Sequence, residues 1–150
     1  FMDYTQAFAI SAAGMSAERA RVDVAALNLA NANTVQSPDG VAFRPLRAVA
    51  RTPDAATAAF ADFMGAAESI GATGIPAVPA VTVEAADVAP RLVYEPGHPF
   101  ADAKGFVAYP GVDTAVEMVT MMSATRAYEA NVAAMNAART LALKALEIGN

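Results

Sequence analysis

The sequence predicts a mainly α-helical chain with a small β-containing or irregular middle, its long N- and C-terminal helices paired as an antiparallel, coiled-coil-like core. Three observations predict it. Phe8, Met15, Val22 and Leu29 recur every seventh residue near the start. A three-four alternation of mostly apolar positions runs from Met118 to Leu146 near the end. Most of the prolines and glycines fall between the two. The expected division is residues 1–34 for the first core helix, 35–111 for an intermediate segment with a variable insertion at about 52–76, and 112–150 for the closing helix.

The opening helix spans residue 4 to about 32. Its heptad stripe, with Ala12, Ala25 and Ala26 in neighbouring positions, is amphipathic or coiled-coil-like. Glu18 and Arg19 interrupt one edge, and Gly14 costs about 1 kcal/mol relative to alanine in a helix interior. Asn33-Thr34 followed by Ser37-Pro38-Asp39-Gly40 is a stop signal with turn chemistry.

In the middle, β-prone pieces stand at residues 41–43, 81–83, 92–94 and 106–109. Residues 52–74 are a low-complexity stretch of Ala, Thr and Gly. Phe60, Phe63, Met64 and Ala67 have helical spacing there, so residues 54–67 read as a short helix or as a mobile insertion, mobility being favoured. Tyr94-Glu95-Pro96-Gly97-His98-Pro99 and Pro110-Gly111 are turns.

The closing helix runs from about 112 to 148, with Asp113 or Thr114 as N-cap and Gly149 as stop. Met118, Met121, Thr125, Tyr128, Val132, Met135, Arg139, Ala142 and Leu146 form its expected stripe.

Composition narrows the function classes. The 150 residues are 55% hydrophobic and 17% charged, which argues against wholesale disorder. Much of the apolar share is alanine. A buried methylene is worth roughly 0.8 kcal/mol, so an alanine seam gains much less than a leucine seam. A net charge of −5 with scattered basic residues argues against nucleic acid as partner. There is no cysteine, hence no disulfide or thiolate chemistry. No apolar run approaches the ~20 residues needed to span a bilayer. No cleavable secretory signal is expected, since Asp3 stands where a basic region would.

Catalytic constellations are missing. His98, the single histidine, sits near Glu95 and Asp102, but a zinc site wants further His or Cys ligands. No nucleophile elbow and no phosphate-binding glycine loop occur. The expectation is no enzyme and no cofactor. The asparagines carry more information: Asn28 and Asn31 lie three apart on nearly one face, and Asn131 and Asn136 punctuate the closing helix. A side-chain amide can fix register across a helix interface, or it can simply face solvent. The methionines of the closing helix suit either core filling or an adaptable contact surface.

Asn28-Leu29-Ala30-Asn31-Ala32-Asn33-Thr34, following Val24-Ala25-Ala26-Leu27, resembles the N-terminal signature of the rod and hook axial proteins of the bacterial flagellum. The stretch Met122-Ser123-Ala124-Thr125-Arg126-Ala127-Tyr128-Glu129-Ala130-Asn131-Val132 is similar to their closing helix. The short length, Leu92-Val93-Tyr94-Glu95-Pro96-Gly97-His98-Pro99 with Ala101-Asp102-Ala103-Lys104-Gly105, and Tyr109-Pro110-Gly111-Val112-Asp113 point within that family to the proximal rod. The likeness covers about residues 8–49 and 81 to the end. It departs at Gly111, where the family usually has Asn, and at 52–74, which has no counterpart.

The resemblance implies a structural subunit of the basal-body rod, polymerising helically into a torque-transmitting drive shaft and export channel. It implies other rod subunits and further copies as partners, the inner-membrane ring and export apparatus at the base, and export without a cleaved signal. It implies no nucleic acid and no insertion into the membrane. Asn28, Asn31, Asn33, Arg126, Tyr128 and Asn131 are the expected interhelix or intersubunit contacts, with Leu27, Leu29, Met121, Val132 and Met135 as the apolar seam. Helices pairing over so modest an area are expected to order fully when neighbours cover them. The rival expectations are a soluble helical adaptor or secreted coiled-coil protein, and a small hydrolase using His98.

Overall fold

The computed structural model describes residues 4–35, 43–51 and 80–148. The expected strand residues 41 and 42, the stretch 52–74 with its candidate helix, and Gly149 lie outside the described residues. The elements in order are α1 (Tyr4–Asn31), β1 (Leu46–Arg51), β2 (Ala80–Ala85), β3 (Arg91–Tyr94), β4 (Phe106–Tyr109) and α2 (Thr114–Ile148). The architecture is thus two long helices flanking a small β middle, as the sequence predicts.

The helices pack against each other head to tail. Gly14 lies against Asn131; Arg19, Val22 and Asp23 share a groove with Thr125 and Tyr128; Arg21, Val24 and Ala25 share another with Glu117 and Thr120. Rising numbers on α1 meet falling numbers on α2, which makes the pair antiparallel. Phe8, Met15, Val22 and Leu29 are all half-buried, in keeping with their heptad spacing, and Ala25 is buried. A Cβ on Gly14 would stand 2.9 Å from the Asn131 amide nitrogen, so this glycine lets the helices approach.

On α2 the inward face differs from the expected stripe. Met121, Val132, Met135 and Ala142 are half-buried, but Met118, Thr125, Tyr128, Arg139 and Leu146 are exposed. The innermost residue is Ala124, flanked along the face by half-buried Ala127, Asn131 and Ala138. The helix is rotated by about one residue because small side chains permit the closest approach, and close packing favours filled contacts over large side chains held apart.

The inner ends of both helices, the end of α1 and the start of α2, are closed by local hydrogen bonds. Asp113 Oδ1 accepts the N–H groups of Ala115 at 3.0 Å and Val116 at 3.2 Å, which makes Asp113 the N-cap of α2. At the end of α1, the Ala32 N–H donates to the Leu29 carbonyl and the Thr34 N–H to the Asn31 carbonyl.

β1 and β2 pair antiparallel with Leu46 opposite Ala85 and Arg47 opposite Glu84. Glu84 accepts Arg51 at 2.5 Å and lies 3.6 Å from Arg47. Both arginines are well exposed, so this cluster adds little net stability. β1 is absent from the expectations: Arg47, Arg51 and three small or alanine-like positions hide its alternation. β3 and β4 form the second antiparallel pair, with Tyr94 opposite Phe106 and Arg91 opposite Tyr109. The Tyr94 and Phe106 rings meet edge to face at 5.3 Å, and the Arg91 guanidinium sits 5.5 Å from the Tyr109 centroid. Tyr109 donates its hydroxyl to Glu95 at 3.0 Å. Desolvation, reinforced by the Glu95 hydrogen bond and charge, holds that phenol above its ordinary pKa.

Two glycines in this region are conformationally required. Gly105, at φ +83°, closes the β3–β4 loop, where a side chain would also meet Tyr94 and Pro96. Gly111 passes so close beneath residues 88 and 89 that a Cβ would run into the Ala89 carbonyl oxygen. Asp102 seals the same loop: its carboxylate accepts the Lys104 and Phe106 N–H groups, both at 2.8 Å.

Burial along the helix pair is graded. The fully buried residues of α1 and its exit, Val24, Ala25, Asn28 and Ala32, cluster at its C-terminal end, beside the β1–β2 sheet. On α2 only Ala124, in the N-terminal third, is fully buried. Asp113→Ala is expected to lower stability by about 1 kcal/mol, read as a lower urea midpoint at unchanged slope.

Candidate assembly surface

The fully buried residues of the helix pair are small, its larger apolar side chains on the inner face are half-buried, and several others are exposed. Among the described residues the fully buried apolar set is Val24, Ala25, Ala32, Val107, Val112 and Ala124, with no Leu, Ile, Met or Phe. Outside, α2 carries Val116, Met118, Val119 and Met122 near its start, and Leu141, Leu143, Leu146 and Ile148 near its end. Val119 is 65% exposed and Ile148 87%. Fully burying such a side chain is worth about 1.5–3 kcal/mol. Val119, Met122 and Arg126 follow three-four spacing and surround a shallow surface depression with Ser123, so they lie on one face. This face turns away from the seam formed by Ala124, Ala127 and Asn131.

The expected contact residues divide into three groups. Asn28 is 0% exposed and works within the chain. Its Nδ2 donates to the Leu46 carbonyl at 2.8 Å, and its Oδ1 accepts the Leu46 N–H at 2.8 Å. The Ala86 N–H donates to the Pro45 carbonyl, so the Leu46 backbone points away from β2, and the Asn28 amide meets it as a neighbouring strand would. Asn131, half-buried at the helix interface, donates to the Ala127 carbonyl at 3.1 Å and faces Gly14. Leu29, Met121, Val132 and Met135 are half-buried along the pair.

The second group closes α1. Asn31 donates to the Leu27 carbonyl at 2.8 Å and accepts the Thr34 hydroxyl at 3.3 Å. The third group is exposed: Leu27 at 49%, Asn33, Arg126 and Tyr128. Arg126 and Glu129, three residues apart, form no ion pair, and among the described residues Arg126 has no carboxylate partner.

Gly14, Ala124 and Ala127 are not among the expected seam residues, nor are Val116 and Val119 among the expected contacts. The spacing of Ala124, Ala127, Asn131 and Ala138 was the available signal, and a glycine within a helical pattern was another.

His98 accepts the Phe100 N–H at Nδ1 at 3.1 Å and its ring tilts against Phe100, an arrangement that closes a turn. Among the described residues no group of three or more His, Cys, Asp or Glu could hold a metal. A cleft of about 230 Å³ between the two sheets is lined largely by Pro45, Val88, Pro90, Tyr109 and Pro110. No helix in the described residues is long and apolar enough to cross a membrane.

Comparison with known proteins agrees with this geometry. The profile described as "Flagella basal body rod protein" matches residues 8–35, and "Flagellar basal body rod FlgEFG protein C-terminal" matches residues 103–148. The chain is 39% identical to "Flagellar basal-body rod protein FlgC" of Escherichia coli O6:H1 over 142 residues, 95% of each chain. It is 36% identical to the protein so named in Bacillus subtilis, covering 93% of this chain and 94% of that one, and 32% to that of Borreliella burgdorferi, covering 93% of each.

Asn28→Ala strips the Leu46 backbone of its partner and is expected to cost about 1–3 kcal/mol. Urea denaturation of the purified chain measures it, and a loss below a few tenths would contradict the assigned bond pair.

Proposed function

This chain belongs to the family of the flagellar basal-body rod protein FlgC, and from that premise we propose that it assembles into the proximal rod through both terminal helices. It is a structural subunit of the basal-body rod. In the proposed assembly, copies of the chain and kindred rod subunits stack head to tail without closing into a ring, which generates a helical shaft. Each contact is weak alone, and many together carry torque around a central export channel. The base of the shaft meets the inner-membrane ring and export apparatus. The role is non-catalytic, which the rod-protein names of the relatives support.

One observation carries the proposal: Val116, Met118, Val119 and Met122, with Leu141, Leu143 and Leu146, are left exposed on α2 while the fully buried residue of that helix is an alanine. A subunit finished in isolation would place those side chains in its core. Here their burial is deferred to contacts between subunits, and Arg126 adds a directional polar group at the rim. The three-part division of the chain fits the same scheme, with residues 1–34 and 112–150 forming the inner layer and residues 35–111 the outer.

Val119→Ser and Met122→Ser each remove an exposed apolar contact, so the isolated chain should keep its urea midpoint to within about 0.5 kcal/mol. Expressed in cells lacking the native subunit, the double variant should fail to restore swimming and rod formation. Normal motility, together with intact rods in isolated basal bodies, would refute the assignment of this face.

A further inference from the structure

We propose that Met118 and Met122 are a paired oxidation site whose conversion to sulfoxides disables the apolar face of α2. The methionines in the described residues fall into two classes. Met15, Met121 and Met135 are half-buried along the helix pair, whereas Met118 and Met122 are 54% and 56% exposed. The exposed two stand four residues apart, on one side of the helix, with Val119 between them. Neither side chain has a role in the seam. Their side chains are therefore more open to a dissolved oxidant than that of their half-buried neighbour Met121.

The chemistry needs a two-electron oxidant of the peroxide class. The sulfur lone pair attacks one peroxide oxygen; an S–O bond forms as the O–O bond breaks, and the departing oxygen takes up the proton to leave as water. Sulfur is oxidised by two electrons and the peroxide is reduced by two. A flexible apolar side chain becomes polar and chiral. On a face built from Val116, Val119 and these two methionines, the new S–O group is a polar acceptor set among apolar side chains; Ser123 and Arg126 are donors beside Met122, but an apolar partner surface offers none, so burying the group against it is costly. The chemistry stands on exposure alone, and its consequence for association rests on the assembly function proposed above. A chain already in an assembly would be shielded, which makes the free subunit the vulnerable species.

The test treats the purified full-length chain with hydrogen peroxide and follows each methionine by tandem mass spectrometry. Met118 and Met122 are expected to oxidise several-fold faster than Met121 and Met135; equal rates in the folded chain would overturn the proposal. Sedimentation then reads self-association before and after treatment. Oxidised chain should associate roughly tenfold more weakly or worse, and treatment with both epimer-specific sulfoxide reductases should restore it. Met118→Leu/Met122→Leu, referenced to its own untreated sample, should lose nothing on the same dose. An equal loss in that variant would place the damage elsewhere and sink the assignment. If untreated chain shows no association with itself or with other rod subunits, the assembly reading fails, while the oxidation order is still decided by mass spectrometry.

Discussion

The structure depends on how closely α1 and α2 approach one another. Gly14, Ala25 and Ala124 set that distance, and a contact made of such residues buries little apolar area. Hydrophobic stabilisation scales with area removed from water. A seam of this kind therefore specifies geometry more than it supplies energy. Several larger side chains, Val116, Met118, Val119 and Met122 among them, remain exposed on the outside.

What holds the rest together is a set of short polar side chains acting on backbone. Asn28 gives β1 a one-residue partner at Leu46, Asp102 closes the β3–β4 loop, and Asp113 starts α2. Each satisfies main-chain groups that would otherwise be left open at the end of an element. In a chain with so few large residues in its interior, these contacts take over work that a leucine-rich core would do by packing. Gly111 has a similar role by subtraction, because the path of residues 88 and 89 over it leaves no space for a side chain.

Both helices were legible in the sequence because 3.6-residue periodicity is a local property that survives alanine enrichment. Strands β2, β3 and β4 overlap the expected pieces at 81–83, 92–94 and 106–109. β1 was invisible: Leu46-Arg47-Ala48-Val49-Ala50-Arg51 has weak intrinsic strand preference, and it pairs with residues 29 to 39 positions away. The face of α2 was misplaced by about one residue because the reading weighted size, whereas the packing rewards smallness. Asn28 was recognised as a specifying amide, but its partner is a backbone segment of the same chain. No spacing argument could have revealed that, since the contact joins residues 18 apart in different elements.

The graded burial along the helix pair makes it a lever with one clamped end. At the sheet-proximal end, Val24, Ala25, Asn28, Ala32 and Ala124 are locked against neighbours; the distal turns are gripped by partial contacts alone. Stiffness therefore declines along the bundle, and strain imposed on the molecule is absorbed first at the far tip. A shaft built from such parts would flex at the joints between subunits while the root of each one stays rigid.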